Sequence, residues 1–427
     1  MVAPRVRTLF LDHLGLPRTR YLPGAPTGQP VRHCMTLFAQ HFDNQMTVGA
    51  AGSKFLEGMP DVEAVYRIED LRPSWVDGEQ LAVCDLMFEG ELFPVAPRTV
   101  LRRAIERWES VGLTPFVGIE LEAFPLAPDG AGGWKPVDVA GSMVYQTGPI
   151  ADPHGLIDDI LETAAKIGIK IEGAHTEYDV PQIEFALQYG SALQHLDDIA
   201  VFKLMAQEIA RSKGLHLTFL GKPFSDKGGS GLHVNLSMRD ATGDNVFDGP
   251  GSEYGLSDTA RHIIGGLLAH HEALSAIVAP NVNSYKRLRV GQMAGYWANW
   301  GLDHRFTTVR VSPSRGAATR MEYRQPDASA NPYLTTAAVL TAGWLGVQNK
   351  IEPPAIETGD ALETANTDRA TPPNLSAALD ALEADTEFVN AFGPESVANF
   401  LSIKRDEWGK FCAHTTDWEK NYYLPYL

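Results

Sequence analysis

Apolar and polar positions change their period several times along the chain, and those changes divide it. The run 6–11 is short and apolar, and Asp12-His13-Leu14-Gly15 after it reads as a turn. The segment 16–22 resumes as a strand, and its Pro17 restricts it to a sheet edge or a strand start. Further strand-like stretches cover 64–68 and 81–86. Over 98–110 the period lengthens to that of a helix, with Val100, Leu101, Ala104, Ile105 and Trp108 on one side. The domain change is placed at this switch, between a small strand-rich part over residues 1–95 and a larger α+β part over 96–427.

The larger part opens with a strand over 115–124, whose alternation puts Glu120 and Glu122 on one face. A Gly/Pro-rich connection follows over 128–136. The periodicity then predicts helices over 157–167, 199–213 and 259–277, strands over 183–187 and 215–220, and a buried helix over 332–343. Gly214 is placed to cap the second of these helices. Residues 352–373, rich in Pro, Thr and acids, read as a lid-like or surface excursion.

Composition narrows the function. With 36 Lys plus Arg against 53 Asp plus Glu, the 427-residue chain carries a formal charge of −17. A surface that acidic repels a phosphate backbone, so nucleic acid is not an expected partner, although one site can still gather arginines. Cys34, Cys84 and Cys412 are too far apart for a disulfide framework or a thiolate zinc centre, which points to a reducing cytoplasm. The start leads directly into an alternating segment, and no apolar run approaches the roughly 18 residues that would suggest a membrane span.

Four groups of residues carry candidate chemistry. Glu120 and Glu122 offer two carboxylates on one strand face, a spacing that a solvated acidic face would also produce. Glu177 and Glu184 lie in His175-Thr176-Glu177-Tyr178-Asp179-Val180-Pro181-Gln182-Ile183-Glu184, where Pro181 argues against a continuous helix. Gly228-Gly229-Ser230-Gly231 permits close backbone approach and runs into a strand with His233 and Asn235 on one face, without the spacing of a P-loop. Arg287, Arg305 and Arg310 precede Arg320-Met321-Glu322-Tyr323-Arg324, a strand that places Arg320, Glu322 and Arg324 together. A surface ion-pair network fits the same pattern, but these arginines also suit a carboxylate and a polyphosphate. Carboxylates with one imidazole point to a hard cation, Mg²⁺ or Mn²⁺.

The chain resembles the glutamine synthetase family in ordered stretches over more than 200 residues: Gly118-Ile119-Glu120-Leu121-Glu122, the 175–184 segment, Lys222-Pro223 with 229–233, Asn283-Ser284-Tyr285-Lys286-Arg287-Leu288, 320–324, and Pro326-Asp327-Ala328-Ser329-Ala330-Asn331-Pro332-Tyr333-Leu334. The resemblance implies an N-terminal β-grasp domain, a catalytic domain whose antiparallel sheet is flanked by helices, and a ring-shaped homo-oligomer with active sites shared between subunits. It implies ATP as cosubstrate and divalent ions held by Glu122, Glu177 and Glu184 at one site and by Glu120, His233 and Glu322 at the nucleotide side. Arg287 and Arg324 match substrate-carboxylate residues. Arg305, Arg310 and Arg320 match residues for phosphate and transition-state charge, and Gly229 matches a glutamate contact. Ser237 matches a nucleotide-contacting serine, and Asn235 joins it in the expected cofactor set. The implied chemistry is phosphorylation of the glutamate γ-carboxylate and attack by a nitrogen nucleophile.

Departures from the family pattern fall on the nucleophile. The region where ammonia-using relatives carry an ammonium-binding acid, 46–53, has none, and Met293 stands where a flap glutamate is normal. A thioether neither holds ammonium nor accepts its proton. The expected acceptor is therefore an organic amine, with glutamine synthesis from ammonia, a different carboxylate substrate and a non-catalytic homologue as alternatives. Glu57, Asp61 and Glu63 are candidates to supply a missing acid from a neighbouring subunit. The segment 368–373 has no tyrosine for adenylylation.

Overall fold

The computed structural model describes residues 4–427. Two four-stranded sheets build its N-terminal part. In the first, Arg5–Leu11 lies between Pro17–Pro23, antiparallel, and Glu79–Val83, parallel, with Arg72–Pro73 outermost. Pro17–Pro23 is an edge strand, where a missing N–H is tolerated. The second sheet runs Val31–Cys34, Asp61–Val65, Asp85–Phe88, Glu91–Leu92.

Two expected strands differ here. The stretch 81–86 divides between the sheets, Glu79–Val83 in the first and Asp85–Phe88 in the second, and the Cys84 N–H at the crossover donates to Leu9 O at 2.8 Å. The strand expected over 64–68 lies at Asp61–Val65, because Arg67 folds back on Asp70 at 2.7 Å and closes a turn. The central strand Arg5–Leu11 of the first sheet is buried on both faces. Val6 and Phe10 join Met35, Phe38 and Leu86 in one core, whereas Leu9, Leu11 and Leu81 join the main core of the molecule. That is why 6–11 reads as a continuous apolar run rather than an alternating one.

Helix Pro97–Glu109 starts with proline in its first turn, where no N–H is needed. Its apolar side meets helix Pro332–Gln348: Trp108 Nε1 donates to Leu340 O at 3.0 Å, and the Trp108 and Trp344 rings meet edge-on at 5.2 Å. The same helix crosses Asp258–Ala269 so closely that a Cβ on Gly266 would lie 2.1 Å from Ala342 O. The helix expected over 259–277 is two, Asp258–Ala269 and His271–Val278. They part at His270, whose Nδ1 lies 2.6 Å from Asp385 Oδ2. The helix expected over 199–213 spans Ala192–Ser212, and the strand expected over 215–220 shortens to His216–Thr218.

The large sheet runs Ile171–Thr176, Ile183–Leu187, Thr114–Pro128, Leu232–Arg239, Met321–Tyr323, Val309–Val311, Trp300–Leu302. Its neighbours are antiparallel except the last pair, which is parallel. Thr114–Pro128 is its axis, with helix Ala192–Ser212 packed against it.

Candidate active site

Strand register places the acids side by side. On one side of Thr114–Pro128, Glu122 stands opposite Glu184, and Glu184 stands opposite His175. On the other side Glu120 faces His233, while Glu322 is flanked by Asn235 and Arg310. Three groups have candidate ligand atoms within 4.8 Å of one another: Glu120, His233 and Glu322; Glu122, Glu184 and His233; His175, Glu177 and Glu184. The first is the set expected at the nucleotide side. The set Glu122, Glu177 and Glu184 does not form one such group, because Glu177 lies just past the end of its strand, with its N–H on Gln182 O at 2.8 Å. Glu184 instead belongs to two groups. His175 was not among the expected ligands, since only the pairing of two strands puts it against Glu184, with Nε2 3.7 Å from Oε1.

Burial and charge set the protonation of these groups. Burial, with Glu120, Glu122, Glu177 and Glu322 nearby, pushes the Glu184 carboxyl up to about 9. Burial and then Glu122 raise Glu177 as well. Glu120 goes the other way. Burial disfavours its charge, but His233 and the Asn235 amide, at 3.0 Å, outweigh it and hold the carboxyl below its ordinary range. Glu122 Oε2 accepts from the Gly231 N–H at 2.6 Å and from Gln182 Nε2 at 3.1 Å. The Gln182 amide also donates to Gly229 O at 3.0 Å, a support that no spacing in the sequence revealed. His233 Nδ1 lies 3.4 Å from both Glu120 and Glu322, and its buried Nε2 has no hydrogen-bond partner. Acids that must keep protons in the absence of a counter-charge, beside an unspent imidazole nitrogen, fit a hard divalent cation.

A cavity of about 680 Å³ opens over these groups. Arg287, buried on its wall, donates through Nη1 to Gln325 O at 2.8 Å and through Nη2 to Arg324 O at 3.3 Å. Gly229 lies against it: a Cβ there would be 2.7 Å from Arg287 Cγ and 2.6 Å from Gly221 O, so no side chain fits. Arg324 pairs with Glu322, and Arg310 bridges Glu322 at 3.0 Å and Asp303 at 2.5 Å. Arg305 and Arg320 are exposed on the same wall. A second cavity of about 440 Å³ shares Glu120 and Arg320 with the first and is lined by Asn235 and Ser237. Of the expected nucleotide residues, Arg320, Asn235 and Ser237 thus face one cavity, whereas Arg310 lines the other.

Met293, Tyr145 and Tyr178 also line the first cavity, with the Tyr145 ring edge-on to His175 at 5.0 Å. The 352–373 excursion contains no helix or strand, and it reaches this rim through Leu362, whose carbonyl accepts from the Gly291 N–H at 3.1 Å. Glu57, Asp61 and Glu63 do not line this cavity of their own chain; Glu57 pairs with Lys54 and Glu63 with Arg32.

Residues 94–423 match the family described as glutamine synthetase, catalytic domain. The chain belongs to the glutamine synthetase family. It is 32% identical over 439 residues to a glutamine synthetase of Pyrococcus abyssi, covering 98% of this chain and 96% of that one. It is 36% identical over 363 residues to a glutamine synthetase of Thermotoga maritima, covering 82% of each. A solved structure described as GmaS/ADP complex-Conformation 1 superposes with a TM-score of 0.85 at 30% identity, covering 99% of this chain and 97% of that one. Members of the family are ATP-dependent ligases that form C–N bonds with the help of a divalent metal. Among the described residues no helix is long and apolar enough to cross a membrane.

Proposed function

We propose that this ligase phosphorylates the γ-carboxylate of glutamate with ATP and transfers the γ-glutamyl group to an organic amine, releasing ADP, phosphate and a γ-glutamyl amide. The observation that carries this reading is Met293, 48% exposed on the wall of the reaction cavity where an ammonia-using relative carries an acid. Tyr145 and Tyr178 on the same cavity offer surface to an organic substituent that ammonia lacks. Similarity to GmaS over nearly the whole chain supports the reading.

In this proposal Glu120, His233 and Glu322 hold the nucleotide-side cation, and Glu122, Glu177 and Glu184, with His175 beside them, hold the other. Mg²⁺ or Mn²⁺ bound there would screen the repulsion between ATP and glutamate and polarise the transferred phosphoryl group. Gly229 brings backbone to the glutamate, which Arg287 and Arg324 orient. Arg305, exposed on the first cavity, and Arg320, exposed where the two cavities meet, take up charge on the phosphoryl oxygens, while Asn235, Ser237 and Arg310 complete the nucleotide side. The exposed apolar residues Met46, Val48, Leu56 and Met59 support a ring of identical subunits, in which a neighbour's N-terminal part closes the cavity. A cytoplasmic setting belongs to the same reading.

Product mass analysis after incubation with ATP, Mg²⁺, glutamate and mixed primary amines tests the proposal. A γ-glutamyl amide is expected, and consumption of another acid would overturn the donor assignment. The names of the curated relatives favour a second reading, glutamine synthesis. A clear kinetic preference for ammonia over every amine would establish it in place of the first.

A further inference from the structure

Behind the glycine loop, away from the reaction cavity, lies another hollow of about 540 Å³. It sits between the 14–17 turn, helix Ala192–Ser212 and the segment 281–283, and its volume falls within the range of about 300–1,000 Å³ typical of small-ligand sites. Leu11, Leu14, Leu204, Phe219 and Val282 make its walls largely apolar, and Phe42 and Leu220 stand exposed on its lining, at 55% and 38%.

One cation faces this space with no carboxylate in ion-pair contact among the described residues. The Lys203 amine donates to Ala328 O at 2.8 Å and sits 4.8 Å from the centre of the Phe219 ring. Burial pushes the ammonium down to about 8, and Asp327 is the one acid whose charge reaches it. Asp327 spends Oδ1 on the Ser329 N–H and hydroxyl and keeps Oδ2 buried without a hydrogen-bond partner, and no carboxylate comes within ion-pair distance of Lys203 among the described residues. Glu407, which also lines the hollow, is engaged by Lys404 at 2.7 Å. An ammonium has three N–H donors, so holding the Ala328 carbonyl accounts for one of them.

The hollow is wired to the reaction cavity from two walls. Ala328, whose carbonyl Lys203 holds, donates its N–H to Ser230 O at 2.9 Å, and the residue after Ser230, Gly231, donates to Glu122 at 2.6 Å. On the opposite wall Asn283 clamps the Lys222 backbone at 2.7 and 2.9 Å, and the adjoining Gly221 carbonyl accepts from Ser230 at 2.8 Å.

We propose that this hollow is a second small-molecule site, which takes a monoanionic organic carboxylate with an apolar body, pairs it with Lys203, and alters glutamate binding through the 229–231 loop. A single lysine with no arginine beside it suits one negative charge rather than a phosphate. The apolar walls select against acetate-sized anions. This inference concerns binding behind the cavity and does not depend on which amine the enzyme accepts.

Calorimetric titration of the full-length, Mg²⁺-loaded protein tests it, with hexanoate and phenylacetate as probes. Hexanol and 2-phenylethanol supply the body without the charge, and acetate the charge without the body. The two acids are expected to bind at least tenfold more tightly than these controls and to change KM for glutamate more than kcat. Lys203→Met should weaken their binding at least tenfold and abolish the KM effect. Gln207→Trp, which narrows the hollow and keeps the amine, should also abolish binding, and it carries the comparison if Lys203→Met does not fold. Equal binding of acids and alcohols, affinity that survives Gln207→Trp, or displacement of the acids by glutamate in simple competition would each overturn the site.

Discussion

Glu184→Gln keeps the shape of a side chain at the junction of two acidic groups and removes the carboxyl that its surroundings force to hold a proton. Its consequence for stability has a definite sign. The carboxyl titrates near 4.5 when unfolded and is raised to about 9 in the folded protein. The stabilising contribution is therefore complete below pH 4.5 and is lost as pH rises towards 9. At about 1.4 kcal/mol per pH unit, the full interval is worth about 6 kcal/mol, and the part between roughly pH 6.5 and 8.5 about 3 kcal/mol. The assay is urea unfolding of EDTA-treated protein across that window, with native and variant chains measured side by side so that other titrating groups cancel. The metal-free variant should gain about 3 kcal/mol on the native chain as pH rises. Mg²⁺ should narrow that gap, because a cation at about a hundred times its Kd adds about 2.7 kcal/mol to a chain that binds it and less to one that has lost a ligand. A native-to-variant difference that stays flat over this range without metal, or a variant that responds to Mg²⁺ as fully as the native chain, would refute both the raised carboxyl and its place beside a cation.

Three further outcomes are expected. Met293→Glu should raise kcat/KM for ammonia relative to primary amines by at least about tenfold, some 1.4 kcal/mol of transition-state stabilisation; an unchanged ratio in steady-state assays would remove Met293 from the acceptor site. Gln182→Leu strips a donor from Glu122 and from Gly229 O. It should weaken Mn²⁺ binding, followed by paramagnetic titration, by about 10–100-fold, and unaltered affinity would show that Glu122 needs no such support. Burial pushes His195 and His271 from 6.5 down to about 4, so the stability they contribute is present above pH 6.5 and lost as pH falls towards 4. Together they add up to about 2.7 kcal/mol per pH unit to the slope in that acid window, and His195→Gln should lower the slope of acid unfolding curves by up to about 1.4 kcal/mol per pH unit.

What the sequence disclosed depended on whether the information was local. Strand Ile183–Leu187 and helix Pro97–Glu109 were legible almost to the residue, because a short apolar run and a 3.6 period each lie within a few positions. The divided 81–86 stretch and the break at His270 were not. One depends on which of two sheets each half joins, and the other on an aspartate 115 residues away.

The site shows the same boundary. Period two put Glu120 and Glu122 on one face, but nothing within the strand says that they serve different groups. That follows from the strand's two neighbours, Leu232–Arg239 bringing His233 to Glu120 and Ile183–Leu187 bringing Glu184 to Glu122. A one-residue slip of either neighbour would turn its ligand to the opposite face. His175 and Gln182 escaped notice for this reason, since each acquires its partner only through a strand or turn that the chain reaches later or earlier. The axial strand Thr114–Pro128 is thus the element on which the site depends, and its pairing on both sides, more than any single carboxylate, decides whether the two acidic groups assemble.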